Sequence, residues 1–194
     1  MKKNELKVLS GLMKNSRTSD RELANKLGIS QPTVSRTRKS LEDEGYIKEY
    51  TIIPDFCKLG FEMLAITFLR LRKDLDEDAI KKAREMAKKD LDEGGTETIL
   101  LERGMGLGAN GVVISLHESF QSYTKFKNRL KNYTFLNVAE LDSFIVNLKD
   151  DVHYKPLTLR TITGYLLELE EGRNKPQVKH ILHCLQNPKP YRKL

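Results

Sequence analysis

Gln31, Pro32, Thr33, Ser35, Arg36, Arg38 and Lys39 gather an amide, two hydroxyls and three cations within nine residues. At about 100° per helical residue, Pro32, Ser35, Arg36 and Lys39 share one side of a helix, and Val34 and Leu41 share the other. A helix with an apolar back and this front has the chemistry to read a nucleic-acid duplex. A guanidinium such as Arg36 suits a guanine edge, and an amide such as Gln31 suits an adenine edge. Lys39 and Arg38 suit phosphates. Gln31 and Thr33 sit at the N-terminal end, which a recognition helix points at base edges. The bland alternative is a solvated helix face, and the angle of Arg38 places it beside the apolar stripe.

Other residues must hold that helix in place. Ser19 and Glu22 are spaced as a capping box for a preceding helix, with Leu23, Ala24 and Leu27 as its apolar face. Gly28 permits a tight turn. Ser30 caps the second helix, Pro32 sits in its first turn, and Gly45 is placed to end it. Residues 19–50 therefore read as a helix-turn-helix, with Ser19 also within the candidate DNA-binding set. Leu6, Leu9, Leu12 and Met13 predict an earlier helix. Tyr46 to Ile53 alternates apolar and polar and predicts a strand or wing, where Lys48 either touches phosphate or is structural.

Bulk properties set outer limits. The 194 residues allow one or two domains and a sizeable core. The net charge of +7 is uneven. Residues 1–50 hold 11 Lys/Arg against 7 Asp/Glu, residues 51–148 hold 14 against 15, and residues 149–194 hold 9 against 5. Basic ends flank a near-neutral middle, as suits a DNA-binding head on a sensor or assembly domain. No apolar run approaches the roughly 20 residues of a membrane span. The start, MKKNELK, lacks the apolar core of a signal peptide, and two cysteines make no disulfide framework, so the expectation is a cytoplasmic protein. High Lys/Glu content without Trp points to a warm-growing source.

The middle of the chain predicts strand 61–72, helix 76–92, strand 96–103, a third strand GVVISL, helix 118–131 and strand 137–148. On the second helix, Phe120, Tyr123, Phe126, Lys127 and Leu130 fall at helical spacing. The order β-α-β-β-α-β is the ferredoxin-like plan, an antiparallel sheet with two helices on one face. Between the second and third strands lies Gly104 to Gly111, formally containing a GxGxxG. A pyrophosphate cradle needs a helix after that motif, and here a strand follows, so a flexible hairpin or an effector or interface loop is expected.

These features together resemble the Lrp/AsnC, or feast/famine, transcriptional regulators of archaea and bacteria, with an archaeal member expected. The carrying residues are the ELANKLGIS turn, the LEDEGYIKEY helix end and wing, and the Asp55 to Gly60 link DFCKLG. The resemblance covers roughly residues 3–149. It implies an α+β chain with a winged helix-turn-helix DNA-binding domain (1–53), a ferredoxin-like sensor and oligomerisation domain (61–149) and a helical C-terminal extension (150–194). It implies a homodimer paired through its sheets, often assembled further. It also implies a small effector, commonly an amino acid, near the turn between the second and third strands. Gly104, Met105, Gly106, Leu107, Gly108 and Asn110 are the matching positions. There the chain departs from the family: Asn110 or its neighbour stands where an aspartate is usual, so an amino-acid ammonium would miss a carboxylate.

In the extension, Leu157 to Glu170 predicts a helix weakened by Gly164, and residues 176–186 predict another. His180, His183 and Cys184 lie within one turn of the latter, and binding a metal there would need His117 or His153 from elsewhere. Ordinary surface or packing roles are the alternative, and no cofactor or metal is assigned. No Ser/His/Asp, Cys/His or paired-carboxylate constellation is evident, so an enzyme is not expected. The function read from the sequence is a sequence-specific DNA-binding transcriptional regulator, a dimer or higher oligomer, with a possible effector. A low-specificity architectural DNA-binding protein is the alternative. A tetrapyrrole-modifying enzyme on the same scaffold, with His117 near its pocket, ranks behind both.

Overall fold

The computed structural model describes residues 1–72, 76–93, 97–150 and 157–171. The chain divides into two compact units. One comprises Met1–Ile53 and Lys155–Leu194, the other Pro54–Tyr154.

The first unit begins with α1 (Lys3–Lys14), α2 (Asp20–Leu27) and α3 (Gln31–Asp43). Ser19 Oγ accepts from the Glu22 amide at 3.2 Å, and the Glu22 carboxylate accepts from the Ser19 amide at 3.1 Å. These reciprocal bonds satisfy donors that a helix start leaves open. They hold the Glu22 carboxyl below its ordinary range. Gly28 ends α2 at φ 66°, a left-handed turn that suits glycine. Two residues later Ser30 caps α3 by accepting from the Thr33 amide at 3.3 Å.

Val8, Leu12, Leu23, Ala24, Val34 and Leu41 fill the core between these helices. A second apolar stripe on α1 is covered by α6 (Ile162–Glu171), where Leu166 and Leu6 are buried among Met1, Leu9 and Met13. The alternation of Tyr46 to Ile53 does not become a strand. That segment has no ladder and is anchored by Ile47, whose amide donates to the Leu41 carbonyl at 3.0 Å. Alternation marks a strand only where another edge takes its backbone bonds, and this stretch of the head has none.

The second unit is a four-stranded sheet of β1 (Met63–Leu71), β2 (Thr98–Gly106), β3 (Ala109–His117) and β4 (Val138–Asn147). The order is β2-β3-β1-β4 and every pair is antiparallel. Helices α4 (Glu77–Glu93) and α5 (Phe120–Asn132) interrupt the strands in the ferredoxin-like sequence. Leu69, Val113 and Leu141 face Phe126 and Leu130 of α5 in the core. Phe120 shares the spacing of that stripe but lies in the first turn of α5 and is 66% exposed. Alternation sends Leu64, Ile66, Phe68, Val112, Ile114 and Phe144 to the opposite face of the sheet.

The glycine-rich stretch is ordered into the sheet rather than loose. β2 runs on to Gly106, β3 starts at Ala109, and Gly106 pairs with Ala109. Only Leu107 and Gly108 turn the chain, at φ 52° and 70°. Two successive left-handed residues make the primed hairpin turn whose twist matches the flanking strands.

Candidate nucleic-acid interface

The outer face of α3 is open. Gln31, Pro32, Ser35, Arg36 and Lys39 are exposed, and Thr33 is half-buried, 2.7 Å from Ser30 Oγ through its hydroxyl. Arg36 Nε donates to the Pro32 carbonyl at 3.3 Å, laying the guanidinium along its own helix. Neither Arg36 nor Lys39 meets a carboxylate among the described residues. Lys48 is exposed on the segment after α3, and Ser19 is exposed while its oxygen caps α2.

Arg38 lies beside the apolar stripe, where its angle on the helix puts it, and is half-buried. Its guanidinium pairs with Asp20 at 2.6 Å and donates to the Thr18 carbonyl at 3.2 Å. It also lies 6.0 Å from the centre of the Tyr50 ring, whose hydroxyl donates to Glu42 at 2.7 Å. Arg38 thus ties α3 to the start of α2 and to the chain beyond α3. Burial, together with the bond to Glu42, pushes the Tyr50 phenol up. Arg38 points along the apolar seam, so its charge is committed inside the head.

A groove of about 450 Å³ between the start of α1 and α3 adds residues that spacing on α3 alone did not find. Lys2, Lys3, Thr37 and Ser40 line it together with Thr33 and Arg36. The sequence signal was the pair of cations opening the chain, which no motif connects to α3.

The proposed effector positions converge on the hairpin. Met105 and Leu107 are 86% and 80% exposed at its tip, with Gly104 and Gly106 on the β2 strand. Asn110 Oδ1 accepts from the Leu71 amide at 2.9 Å, which fastens the hairpin to β1. Arg70 Nε donates to the Gly108 carbonyl at 2.9 Å and pairs with Glu140 and Asp142. The amide at 110 therefore holds backbone, a task an aspartate oxygen would also do.

His117 does not line an open pocket. It is fully buried, with Nε2 2.8 Å from Ser115 Oγ and Nδ1 3.5 Å from Ser122 Oγ. The Tyr123 and Phe126 rings pack at 5.4 and 5.1 Å. Burial lowers its pKa, opposed by the charge of Glu97, which is itself 2.8 Å from Arg129. Among the described residues no three His, Cys, Asp or Glu side chains converge as metal ligands. His153, His180, His183, Cys184 and the helix expected at 176–186 lie outside those residues. No helix among the described residues is long and apolar enough to cross a membrane.

Comparison with known proteins agrees with this geometry. The signature of winged helix-turn-helix DNA-binding domains matches residues 1–48. The HTH-type transcriptional regulator LrpA of Pyrococcus horikoshii is 37% identical over 78 residues, which is 40% of this chain and 55% of that protein. The chain spans about half the length of the curated relatives it matches. An AsnC family transcriptional regulator from Agrobacterium tumefaciens shares the fold with a TM-score of 0.64 at 17% identity, over 84% of this chain and 99% of that one. A transcriptional regulator from Neisseria meningitidis, crystallised as a complex with L-methionine, gives a TM-score of 0.61 at 20% identity over 84% and 99%. The head is thus similar in sequence to HTH-type transcriptional regulators, and the chain shares its fold with solved proteins that include the AsnC family regulator.

Proposed function

We propose that this protein is a sequence-specific transcriptional regulator that places α3 in the major groove of duplex DNA and acts as a homodimer. The observation that carries the reading is the capped, tightly turned α2–α3 pair whose outer face shows Gln31, Ser35, Arg36 and Lys39, with neither cation paired to a carboxylate among the described residues. Arg36 and Gln31 read base edges; Lys39, Lys48, Ser19 and the Lys2–Lys3 pair bind phosphates. The apolar sheet face around Ile66, Phe68, Ile114 and Phe144 pairs with a second copy. A dimer then presents two α3 helices to half-sites about 34 Å apart. A small effector binds near the β2–β3 hairpin; the L-methionine complex of a protein with this fold supports a small-molecule effector.

Selection of bound sequences from a random duplex pool tests the reading. A recovered pseudo-palindrome is the expected result. Uniform binding that falls steeply with salt would replace it with an architectural role, in which the protein coats DNA without a preferred site.

A further inference from the structure

One face of α1 carries Lys7, Ser10, Gly11 and Lys14, at i, i+3, i+4 and i+7. It is neither the face in the helical core nor the one that α6 covers. With the turn after α1 and the second half of α2 it borders a cavity of about 360 Å³, a size within the range of small-ligand sites. Leu23 and Leu27 give it an apolar wall. Gly11 lets that wall come close, since a Cβ there would stand 2.5 Å from Leu23 Cδ1. Lys26, exposed like Lys14, adds a third cation to the lining. Among the described residues no Asp or Glu lines the cavity, and neither Lys14 nor Lys26 has an ion-pair partner. The Glu22 carboxylate, one turn before Lys26, accepts from the Ser19 amide at 3.1 Å. No residue of this cavity lines the groove beside α3.

Two hydroxyls make this more than a gap between lysines. Ser10 is 3% exposed and Thr18 6%, and both line the cavity. Thr18 is bonded through its backbone, its amide to Asn15 and its carbonyl to Arg38. Neither hydroxyl has a hydrogen-bond partner among the described residues. A buried hydroxyl without a partner has given up its water for nothing, so such groups are kept where a partner arrives. A hydroxyl donates to an oxyanion, and an ammonium group supplies charge without fixing geometry. Three ammonium groups exceed what one carboxylate or one DNA phosphodiester needs, each carrying a single charge. A phosphate monoester carries about −1.5 to −2 near neutral pH and offers three acceptor oxygens. We propose that the cavity between α1 and α2 binds a small organic phosphate. Lys14 and Lys26 hold its charge, Ser10 and Thr18 donate to its oxygens, and its organic body lies against Leu23 and Leu27. The site does not depend on the reading of α3.

Phenyl phosphate is the probe, with inorganic phosphate and benzyl alcohol standing for its two halves. Heteronuclear NMR of the full chain follows the amides of Gly11, Thr18 and Leu23 through each titration. Phenyl phosphate should shift them saturably, inorganic phosphate should bind roughly fivefold more weakly or worse for want of the ring, and benzyl alcohol should give no saturable shift. Lys14→Gln and Lys26→Gln should each weaken phenyl phosphate by about 3- to 10-fold, as the loss of a charge-assisted contact does. Ser10→Ala should weaken it by a similar factor and hold or raise the thermal midpoint of the free protein, because the hydroxyl has no partner there. A hydroxyl with a purely structural role gives the reverse, a lower midpoint at unchanged affinity, and that result overturns the proposal. No saturable shift with phenyl phosphate overturns it too. If the two lysine variants then also lower the salt slope of duplex binding, their cations belong to the DNA backbone. Inorganic phosphate binding as tightly as phenyl phosphate would reduce the cavity to a bare anion hole and overturn the organic ligand.

Discussion

The two units treat their cations in opposite ways. In the sheet unit Arg70 is held by Glu140, Asp142 and the Gly108 carbonyl, Arg129 by Glu97, and Lys149 by Glu62. On α3 of the head, Arg36 and Lys39 face outward with no carboxylate among the described residues, and the third cation, Arg38, pairs with Asp20. Their open surfaces differ in the same sense. The head shows amide, hydroxyl and cation along α3, whereas the sheet unit shows a face of Ile, Leu, Val and Phe. A cation already matched within the fold contributes little to a phosphate partner, because its own carboxylate must first be displaced. An apolar sheet face gains most from another apolar face. The contrast predicts which surface meets which partner.

The largest expected effect breaks the apolar half of that contrast. Phe144 is 63% exposed on β4, so Phe144→Asp should leave the folded monomer nearly as stable as before. It should weaken self-association by about 2–4 kcal/mol, the range of a central interface residue. Sedimentation should show a dimer for the natural chain and monomer for the variant at equal concentration. An unchanged mass would place the interface elsewhere.

Arg36→Ala and Arg38→Ala split the cationic half. The first should cost about 1–3 kcal/mol of affinity, relax preference at one base position and leave the melting temperature alone. A loss equal on all sequences would reduce Arg36 to a phosphate contact. The second removes a half-buried pair that joins α2 to α3. It should lower the stability of the head by about 1–2 kcal/mol, less than a fully buried pair because both side chains keep some water. Melting followed by far-UV circular dichroism separates the two variants, since only Arg38→Ala should move the midpoint.

The same pair shows how far the sequence could be read. Capping spacings, Gly28 and the 3.6-residue period carry local information, so the helix-turn-helix and the outward set Gln31, Ser35, Arg36 and Lys39 were legible. The β-α-β-β-α-β order was legible for the same reason. The angle of Arg38 beside the apolar stripe was legible too, but its partners Asp20 and Thr18 were not, because they lie before α2 and at its start and no period links them to α3. The strand expected at 46–53 depended on a partner edge, which alternation does not encode. Lys2 and Lys3 reach the α3 groove only through the packing of α1. The Gly104 to Gly111 stretch was legible as a hairpin, but not which residues turn it: left-handed φ at Leu107 and Gly108 makes the turn tight and leaves the rest of the stretch in the strands.

That hairpin offers a smaller test. Leu107 sits at φ 52° with its side chain 80% exposed, so a branched residue occupies a conformation that favours glycine or asparagine and gains no burial there. Leu107→Asn should stabilise the sheet unit by about 1 kcal/mol. If the hairpin tip serves the effector or assembly, the variant should be more stable and yet respond less to a bound metabolite. Stabilisation with unaltered response would leave the tip without that role.

The smallest effect concerns the buried charge economy of the sheet unit. His117 is buried between Ser115 and Ser122 beside two aromatic rings, and Glu97 and Arg129 are the charges that reach it. Burial holds its pKa below the ordinary 6.5, more than the Glu97 charge offsets. The unfolded chain then takes up a proton as pH falls through 6.5, while the folded chain resists it. Protonation therefore draws the equilibrium toward unfolding. The stability associated with neutral His117 is complete above pH 6.5 and is lost on acidification, until the folded state is protonated too. Glu97, whose carboxyl is held below 4.5, stays ionised across this window and does not confuse it. Thermal midpoints between pH 7.5 and 5 should fall for the natural chain. They should fall less for His117→Gln, which keeps a polar group between the serines and cannot gain charge. Parallel pH profiles in the two proteins would mean that folding leaves the titration of His117 unshifted, so that its burial between Ser115 and Ser122 carries no pH-dependent stability.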